Sequence, residues 1–352
     1  MKICLINNLY SPYNRGGAEK VVSAMIAQFQ SQDNEVFLIT TKPKKPSLGE
    51  TSDCRTVYLK NDFYNIGRRP LVWRFFWHIG NVFSIFTYFK FKKIFKHEKP
   101  DLVITHNLMG IGFMAARAIK KSGAKHHHFL HDIQLLHPSG LMMWGEEKII
   151  ASLPAKIYQT LTRFFLGSPD LIISPSHWLL EEHISRNFFP SSPTEIQTLA
   201  EIFEFKSWAG KGDNVWHRGK KNLLFVGQTE KHKGIVFLIE AFKKYANSEM
   251  TLTIAGDGSL LAELQSLHNN EERIKFLGKL KQEELAVEMK KADVLIVPSL
   301  CYENSPTVIL EAQTFSLPVI ASKLGGIPEI VNPHDRLFTP GQAEELFREI
   351  NN

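Results

Sequence analysis

The chain has 352 residues, 43% of them apolar, which is enough for two globular domains with ordinary cores. Its three cysteines, Cys4, Cys54 and Cys301, have no metal-ligand spacing and are odd in number, so neither a zinc site nor a disulfide framework is expected. The net charge of +6 is uneven: residues 1–200 have 24 Lys+Arg against 15 Asp+Glu, which indicates an anionic partner such as a membrane surface, a lipid phosphate or a nucleic acid.

The amino-terminal segment predicts a strand at residues 3–6, a polar loop, and a helix from Gly16 to about residue 29. It has no cationic segment followed by an apolar core and a cleavage site, so secretion is not implied and a cytoplasmic location is expected. Gly16 and Gly17 stand directly before the helix, where backbone amides can face an anion. An ordinary turn explains the same glycine pair.

A helical pattern covers residues 69–99 and combines aromatic residues with a group of lysines. Rings at headgroup depth and lysines against anionic lipid are what peripheral contact with a membrane requires. The alternative is an amphipathic helix of the first domain with a solvated end. The sequence leaves both interpretations open.

Histidines are concentrated after the next predicted strand, at residues 100–106, and the helix at 110–121. In KHHHFLHDIQ, a strand at 126–130 ends at His131 and Asp132. Consecutive strand residues point to opposite faces, so His126 to His128 do not form a metal cluster, and no metal is expected. A hydrogen-bonded structural histidine is one interpretation of His131. The first domain is predicted to cover residues 1–205, with a linker at 206–221.

The second predicted domain, residues 222–352, begins with a strand at 223–226, the loop QTEKHKG and a helix at 235–245. A strand at 252–255 precedes Gly256-Asp257-Gly258, which lacks the third glycine of a dinucleotide fingerprint. The most informative part is residues 293–331. A buried strand at 294–297 leads through a loop to a helix at 307–315, with Ser305 as the expected N-cap and Pro306 in the first helical position.

Parallel strands with intervening helices place ligands at the carboxyl ends of the strands, so the loop around Glu303 is a candidate anion and sugar site. Glu311 follows about two helical turns later, on the same side. The stretch DVLIVPSLCYENSPTVILEAQTFSLPVIASKLGGIPEIV resembles the donor-site signature of retaining glycosyltransferases of family-four type, also called glycosyl transferases group 1. That family includes sucrose-phosphate synthases and bacterial polysaccharide and lipopolysaccharide transferases.

The resemblance implies an α/β protein with the GT-B fold, in which two Rossmann-like, doubly wound parallel-sheet domains face each other across a cleft. It also implies the site residues. His131 and Glu303 would contact the donor sugar, Lys233 would neutralise the diphosphate, and Glu311 would bind the ribose. Further donor-binding positions would be Gly16, Gly17, Gln228, Gly256, Asn304, Ser305, Pro306, Thr307 and Val308.

Two features depart from the family pattern. Gln228 stands where the family has an arginine, and an amide supplies neither charge nor a bidentate fork to a phosphate. Lys231, His232 or Arg15 would have to compensate. After Glu329 the pattern allows one short helix, at 343–350, so the carboxyl-terminal crossover of the family is expected to be missing.

We therefore expect a metal-independent hexosyltransferase without a cofactor, which moves a sugar from a nucleotide-diphosphate sugar to a cell-envelope glycan or a lipid-linked oligosaccharide. A sugar-nucleotide epimerase of the same fold is the enzyme alternative. A catalytically weak nucleotide-sugar-binding subunit is the non-enzyme alternative. Nucleic acid is not an expected partner, because the aromatic residues of the basic half follow a core pattern rather than a stacking platform.

Overall fold

The computed structural model describes residues 1–13, 16–43, 53–61, 63–203 and 221–352. The chain divides into two compact units: the first holds residues within 1–141 and 148–204, and the second holds 142–147 and residues from 205 to the end. The predicted linker at 206–221, apart from Lys221, and the predicted cation Arg15 lie outside the described residues. Within the described ranges, no helix combines the length and the apolar character needed to cross a bilayer.

The described part of the first unit contains one sheet of seven strands, paired in parallel throughout in the order β3-β2-β1-β4-β5-β6-β7. Its strands are β1 (Lys2–Ile6), β2 (Glu35–Lys42), β3 (Arg55–Lys60), β4 (Leu102–Thr105), β5 (Lys125–Phe129), β6 (Leu171–Ser174) and β7 (Thr194–Ile196). Its helices are α1 (Gly17–Ser31), α2 (Leu71–Val82), α3 (Ile85–Glu98), α4 (Met114–Ser122), α5 (Leu153–Leu166), α6 (His177–Ile184) and α7 (Leu199–Ile202).

The second unit, as described, contains a parallel sheet of six strands in the order β10-β9-β8-β11-β12-β13. Its strands are β8 (Asn222–Val226), β9 (Thr251–Ala255), β10 (Ile274–Gly278), β11 (Val294–Val297), β12 (Val319–Ser322) and β13 (Arg336–Phe338). Its helices are α8 (Ile235–Tyr245), α9 (Leu261–Leu267), α10 (Gln282–Lys291), α11 (Thr307–Thr314), α12 (Ile327–Ile330) and α13 (Ala343–Asn351).

Both sheets are buried on two faces, which explains their short, continuous apolar strands. In β8, Leu223 and Phe225 join one core cluster with α8 and α13, whereas Leu224 joins the opposite cluster with α11. In each sheet, successive strands are added first on one side of the starting strand and then on the other. The starting strand is β1 in the first unit and β8 in the second. Ligands of doubly wound sheets bind at the carboxyl ends of strands beside such a change of side. The predicted pair of Rossmann-like parallel-sheet domains is confirmed.

Several predicted elements differ from the structure. The single helix expected at 69–99 is broken into α2 and α3 at Phe83 and Ser84. The break is held by the Ser84 hydroxyl, which lies 2.8 Å from Thr87 Oγ1, and by the Thr87 hydroxyl, which donates to the Ile111 carbonyl at 2.7 Å. The helix expected at 110–121 begins only at Met114. Strands β7 and β13 and helix α5 were not predicted.

Residues Met142–Glu147 lie in the middle of the sequence of the first unit but belong to the second. Met143 forms an antiparallel bridge with Cys301. On either side of it, the Trp144 amide donates to the Leu300 carbonyl at 2.9 Å, and the Tyr302 amide donates to the Met142 carbonyl at 2.9 Å. Over its last residues, the loop at 138–145 is therefore paired with the loop that precedes Glu303.

The loops after β8 and β9 contact each other backbone to backbone. Gly256 has a φ of +147°, and a Cβ at this position would lie 1.7 Å from the Gly227 carbonyl oxygen. The Gly227 amide donates to the Ala255 carbonyl, and the Thr229 amide donates to the Asp257 carbonyl. Gly256 is thus required by close packing of the two loops, whatever else it contacts.

We expect Gly256→Ala to destabilise the second unit by more than about 3 kcal/mol, because it adds a backbone clash to a strained φ. Gly278→Ala is the matched control: Gly278 also has a positive φ, +67°, but its Cβ would meet nothing within 4 Å. That variant should lose only about 1 kcal/mol. Urea unfolding of both variants measures the difference, and equal losses would contradict the packing argument.

Candidate active site

The carboxyl ends of β8 and β11 bring two predicted site residues into contact. Lys233 lies in a 3₁₀ turn before α8, and its Nζ donates to Glu303 Oε2 at 2.7 Å. Ser299 is the second residue of the loop after β11, next to Pro298, and its hydroxyl donates to Glu303 Oε1. Both carboxylate oxygens of Glu303 therefore have a partner, and the Glu303 side chain is only 11% exposed.

Glycines hold both members of this pair in place. Gly234, next to Lys233, has a φ of +73°, and a Cβ there would lie 1.8 Å from the Pro298 carbonyl oxygen. Gly325 has a φ of +61°, and its Cβ would lie 2.3 Å from the Glu303 carbonyl oxygen. That same carbonyl accepts the Gly326 amide at 2.8 Å. Only residues without a side chain allow these approaches.

The pair is ionised. Burial by itself would raise the pKa of Glu303, but the Lys233 ammonium and the hydrogen bonds from Lys233 and Ser299 bring that pKa below its usual value. Burial likewise opposes the charge of Lys233, and the Glu303 carboxylate raises the Lys233 pKa above its usual value. Burial and the neighbouring Lys233 lower the pKa of His232, which favours a neutral imidazole. Because the two charges of the pair offset each other, Lys233 offers an anion less than a full unit of net charge.

Helix α11 begins beside this pair. It starts at Thr307, with Pro306 in the N-cap position and no side chain capping it. The expectation that Ser305 is the N-cap is wrong: its Oγ is buried and has no hydrogen-bond partner among the described residues. Pro306, rather than Ser305, occupies the N-cap position. The Ser305 hydroxyl therefore lies one residue too far from the helix to cap its first-turn amides. Val308 and Glu311 follow on the helix, both half-buried.

The remaining predicted donor positions of this unit lie in the two paired loops. Gln228 is the second residue after β8 and is half-buried. In the same loop, Glu230 accepts hydrogen bonds from the Ser259 amide and from the Ser259 hydroxyl, each at 2.7 Å. This bond fixes the loop after β8 to the loop after β9. Asn304 continues the loop from Glu303 toward α11.

In the first unit, His131 follows β5, and His106 follows the neighbouring strand β4. Their side chains form a hydrogen bond, with His106 Nδ1 and His131 Nε2 2.8 Å apart. Burial lowers the pKa of His131 to about 3 and the pKa of His106 well below its usual value. Both imidazoles are therefore neutral, so His131 can form hydrogen bonds with a ligand but brings no charge.

Next to His131, Asp132 receives the Gln134 amide at 2.7 Å and the Asn107 side-chain amide at 3.3 Å. Burial raises its pKa to about 6, against which these hydrogen bonds act only in part. The carboxyl group therefore titrates close to neutral pH. Gly140, with a φ of +68°, would place a Cβ 3.5 Å from it.

Gly16 and Gly17 begin α1 as predicted, with Gly16 in the N-cap position. The Gly16 amide donates to Glu19 Oε2 at 3.1 Å, and Glu19 is buried. The carboxylate of Glu19 thus already occupies the position over this amide that the sequence assigned to an anionic ligand. Arg15, the cation expected beside it, lies outside the described residues.

Two neighbours of the predicted residues were missed in the sequence, Ser299 and His106. Each comes directly after a buried strand, within the two residues that follow it. Position after a buried parallel strand was the available signal, because these ends meet at one edge of the sheet. Within the described ranges, no group of three or more His, Cys, Asp or Glu side chains is arranged to hold a metal ion.

We expect Lys233→Met to destabilise the second unit by about 3 kcal/mol at neutral pH, because it leaves the Glu303 carboxylate buried without its cation. A carboxyl group with a lowered pKa stabilises the fold above its unfolded pKa, and this contribution disappears as the pH falls through its folded pKa. The difference from the wild type should therefore shrink in acid. Hydrogen exchange of the second unit in urea measures it.

Lys231→Met is the control for that variant, since Lys231 lies in the same turn and is exposed. It should change the free energy of unfolding by less than about 0.5 kcal/mol. A loss for Lys233→Met that stays constant down to acid pH would contradict the ion-pair explanation.

A second prediction concerns Asp132. Its folded pKa of about 6 lies above the ordinary value of 3.8, so the folded state holds the proton more tightly than the unfolded state does. The stability of the wild type relative to Asp132→Asn should thus fall by about 3 kcal/mol as the pH rises between these values. Parallel urea titrations from acid to neutral pH test this, and parallel curves for wild type and Asp132→Asn would refute it.

Comparisons with known proteins agree with this arrangement. The model of Glycosyltransferase Family 4 matches residues 15–197, and the model of Glycosyl transferases group 1 matches residues 208–352. A protein of Klebsiella pneumoniae, described as an uncharacterized 42.6 kDa protein in a cps region, is 24% identical over 94% of this chain and 87% of its own length.

Two solved structures share the fold. Sucrose-phosphate synthase from Thermosynechococcus elongatus aligns with a TM-score of 0.69 and 21% identity, covering 99% of this chain and 88% of its own. Anabaena Alr3699/HepE, in complex with UDP-glucose, aligns with a TM-score of 0.67 and 18% identity, covering 100% of this chain and 89% of its own. The first family model thus covers the chain from α1 to β7, and the second covers all six strands of the second sheet. The chain belongs to the group 1, family 4 glycosyltransferases.

Proposed function

We propose that this glycosyltransferase moves a hexose from a nucleoside-diphosphate sugar to a cell-envelope glycan or a lipid-linked oligosaccharide, with retention of the anomeric configuration and without a metal or cofactor. One observation carries the donor assignment. The partly buried Lys233–Glu303 pair stands at the strand ends of the second unit, and the uncapped amino terminus of α11 follows in the same loop, after the buried and unpartnered Ser305 hydroxyl.

The leaving diphosphate needs cations or amides around its oxygens as negative charge develops there. Lys233 supplies charge, but Glu303 offsets part of it. We therefore propose that the first-turn amides of α11, at Thr307 and Val308, contribute more to binding the diphosphate than they would if Lys233 were unpaired. The Ser305 hydroxyl and the Gln228 amide are further hydrogen-bond donors for the same group.

The donor sugar needs hydrogen-bond partners that do not depend on net charge. Glu303 is ionised and accepts hydrogen bonds, so a sugar hydroxyl is a suitable partner for it. In the first unit, the neutral His131 is proposed to contact the sugar by a hydrogen bond, with Gly16 and Gly17 contributing backbone groups. Glu311 is proposed to bind the ribose and Asn304 the donor, while Gly256 and Pro306 shape the loops.

Support for the donor and acceptor classes comes from the relatives. The Anabaena protein of the same fold was solved with UDP-glucose, and another of its structures holds UDP with glucose. The cps-region protein of Klebsiella supports a cell-envelope glycan as acceptor. A cytoplasmic location and peripheral contact with an anionic membrane through residues 69–99 belong to the same proposal.

A binding subunit without turnover is the second candidate, and Gln228 favours it. An amide in place of the family arginine leaves the diphosphate with one cation fewer, and Lys233 is already paired. Such a protein would bind the nucleotide sugar but would not lower the barrier to transfer. Nucleotide binding without transfer to any acceptor would identify it, and an isomerised sugar nucleotide formed without acceptor would identify an epimerase.

We expect calorimetric titration with UDP, GDP and ADP to show micromolar binding of one nucleotide, which Glu311→Ala weakens at least about tenfold through loss of a charged hydrogen bond to the ribose. Glu263→Ala, an exposed glutamate of α9, is the matched control and should bind as the wild type does. If none of the three nucleotides binds, or if both variants lose affinity equally, the donor site proposed here is wrong.

A further inference from the structure

The first unit has an apolar surface that no described part of the chain covers. On α2 and at its C-cap, five exposed residues recur at helical spacing, and on α3 three more stand in its first two turns. They are Val72, Phe75, Phe76, Ile79 and Phe83, then Ile85, Phe86 and Phe89. Phe86 is the most exposed of them, at 85%. A solvent-facing helix normally places polar residues at such positions.

A second, unpredicted helix extends this surface. On α5, Leu153, Ile157 and Phe164 are exposed along one stripe, whereas Ala155 and Thr162 are buried on the other face. The two parts are joined where the Phe83 ring meets the Phe165 ring edge-on, with centroids 5.5 Å apart. Helices α3 and α5 also each pack against α4. The apolar stripes thus belong to one continuous area of the first unit.

The two sequence segments that carry these stripes are cationic, with acidic residues only at their flanks, at Asp62, Glu98, Glu147 and Asp170. Between Phe63 and His97 the sequence has seven Lys or Arg and no Asp or Glu, and between Lys148 and Pro169 it has three against none. On α3 the exposed face changes along its length, from Phe86 and Phe89 to Lys90 and Lys93. On α4, Arg117 lies over the Phe164 ring at 4.5 Å. Exposed rings beside unopposed cations match an anionic lipid surface, in which rings enter the headgroup layer and lysines meet phosphates.

We propose that α2, the first half of α3 and the exposed stripe of α5 form one docking surface for an anionic lipid bilayer. The inference extends the membrane contact that the proposed function assigns to residues 69–99, and it does not depend on glycosyl transfer itself. It differs from that contact because α5 adds Leu153, Ile157 and Phe164, three of the eleven exposed apolar residues, from a separate part of the chain. A lipid bilayer, not a nucleic acid, is the occupant, since the exposed surface includes aliphatic side chains such as Val72, Ile79 and Leu153, which insert into lipid but offer no ring for a base to stack on.

Vesicle co-sedimentation of the full chain tests the surface, with phosphatidylcholine alone or mixed with phosphatidylglycerol. The wild type should bind the mixed vesicles much more strongly. The double variants Phe75→Ser/Phe76→Ser and Leu153→Ser/Ile157→Ser should each weaken that binding more than about tenfold. Lys93→Gln should weaken it about fivefold, the effect of one lysine near an anionic surface.

Matched controls come from the second unit. Leu267→Ser removes a residue that is 66% exposed on α9, and Lys290→Gln removes an exposed lysine of α10. Both should bind vesicles as the wild type does, and thermal unfolding confirms that each variant folds. The assay contains neither donor nor acceptor, so a failed nucleotide titration leaves its result unaffected.

Three outcomes would overturn the proposal. In the first, the α5 variant binds as tightly as the wild type, so that α5 lies off the surface. In the second, lysine variants lose binding but serine variants do not, so that the area binds polyanions such as nucleic acid by charge alone. In the third, the chain is a dimer that loses its self-association in the serine variants and never binds vesicles, so that a second copy covers the area.

Discussion

The second unit depends on one partly buried pair of opposite charges, Lys233 and Glu303. Removing both groups from water costs free energy that is regained only if they stay in contact and their other hydrogen bonds are satisfied. The fold keeps the two residues in contact through close backbone packing, with Gly234 against the Pro298 carbonyl and Gly325 against the Glu303 carbonyl. The glycines of this unit are thus part of its electrostatics, because any side chain at these points would separate the charges.

The first unit uses a different chemistry. Its strand ends hold neutral imidazoles, His106 and His131, and burial keeps both uncharged. His106 is fully enclosed, so its bond to His131 restricts which nitrogen of His131 carries the proton and which way the ring faces. The two units therefore present unlike environments to a ligand: one is ionic but self-compensated, and the other is polar without charge. Asp132, with its pKa near 6, is the exception in the first unit.

The sequence predicted the sheets well, because strands buried on both faces are continuous apolar runs such as β11, whose bounds were predicted correctly. The sequence also predicted Lys233 and Glu303 as site residues, but only through family resemblance. Their contact could not be predicted, since it joins residues 70 positions apart. Helix α5 was missed because its buried face includes Gln159 and Thr162, polar residues that bond to backbone carbonyls of the first unit and break the apolar period. The short edge strands β7 and β13 have three residues each, too few for a pattern.

The pairing of residues 142–147 with the loop before Glu303 has a consequence for how the protein can be divided. The chain leaves the first unit after Leu141, contributes one short segment to the second, and returns at Lys148. A fragment that starts at the first strand of the second sheet would lack that segment. It would leave the Leu300 carbonyl and the Tyr302 amide without their partners, and Tyr302 would also lose its hydroxyl bond of 2.9 Å to Glu147. The second unit is discontinuous in sequence, so its smallest complete version is a two-piece assembly or a circularly rearranged chain.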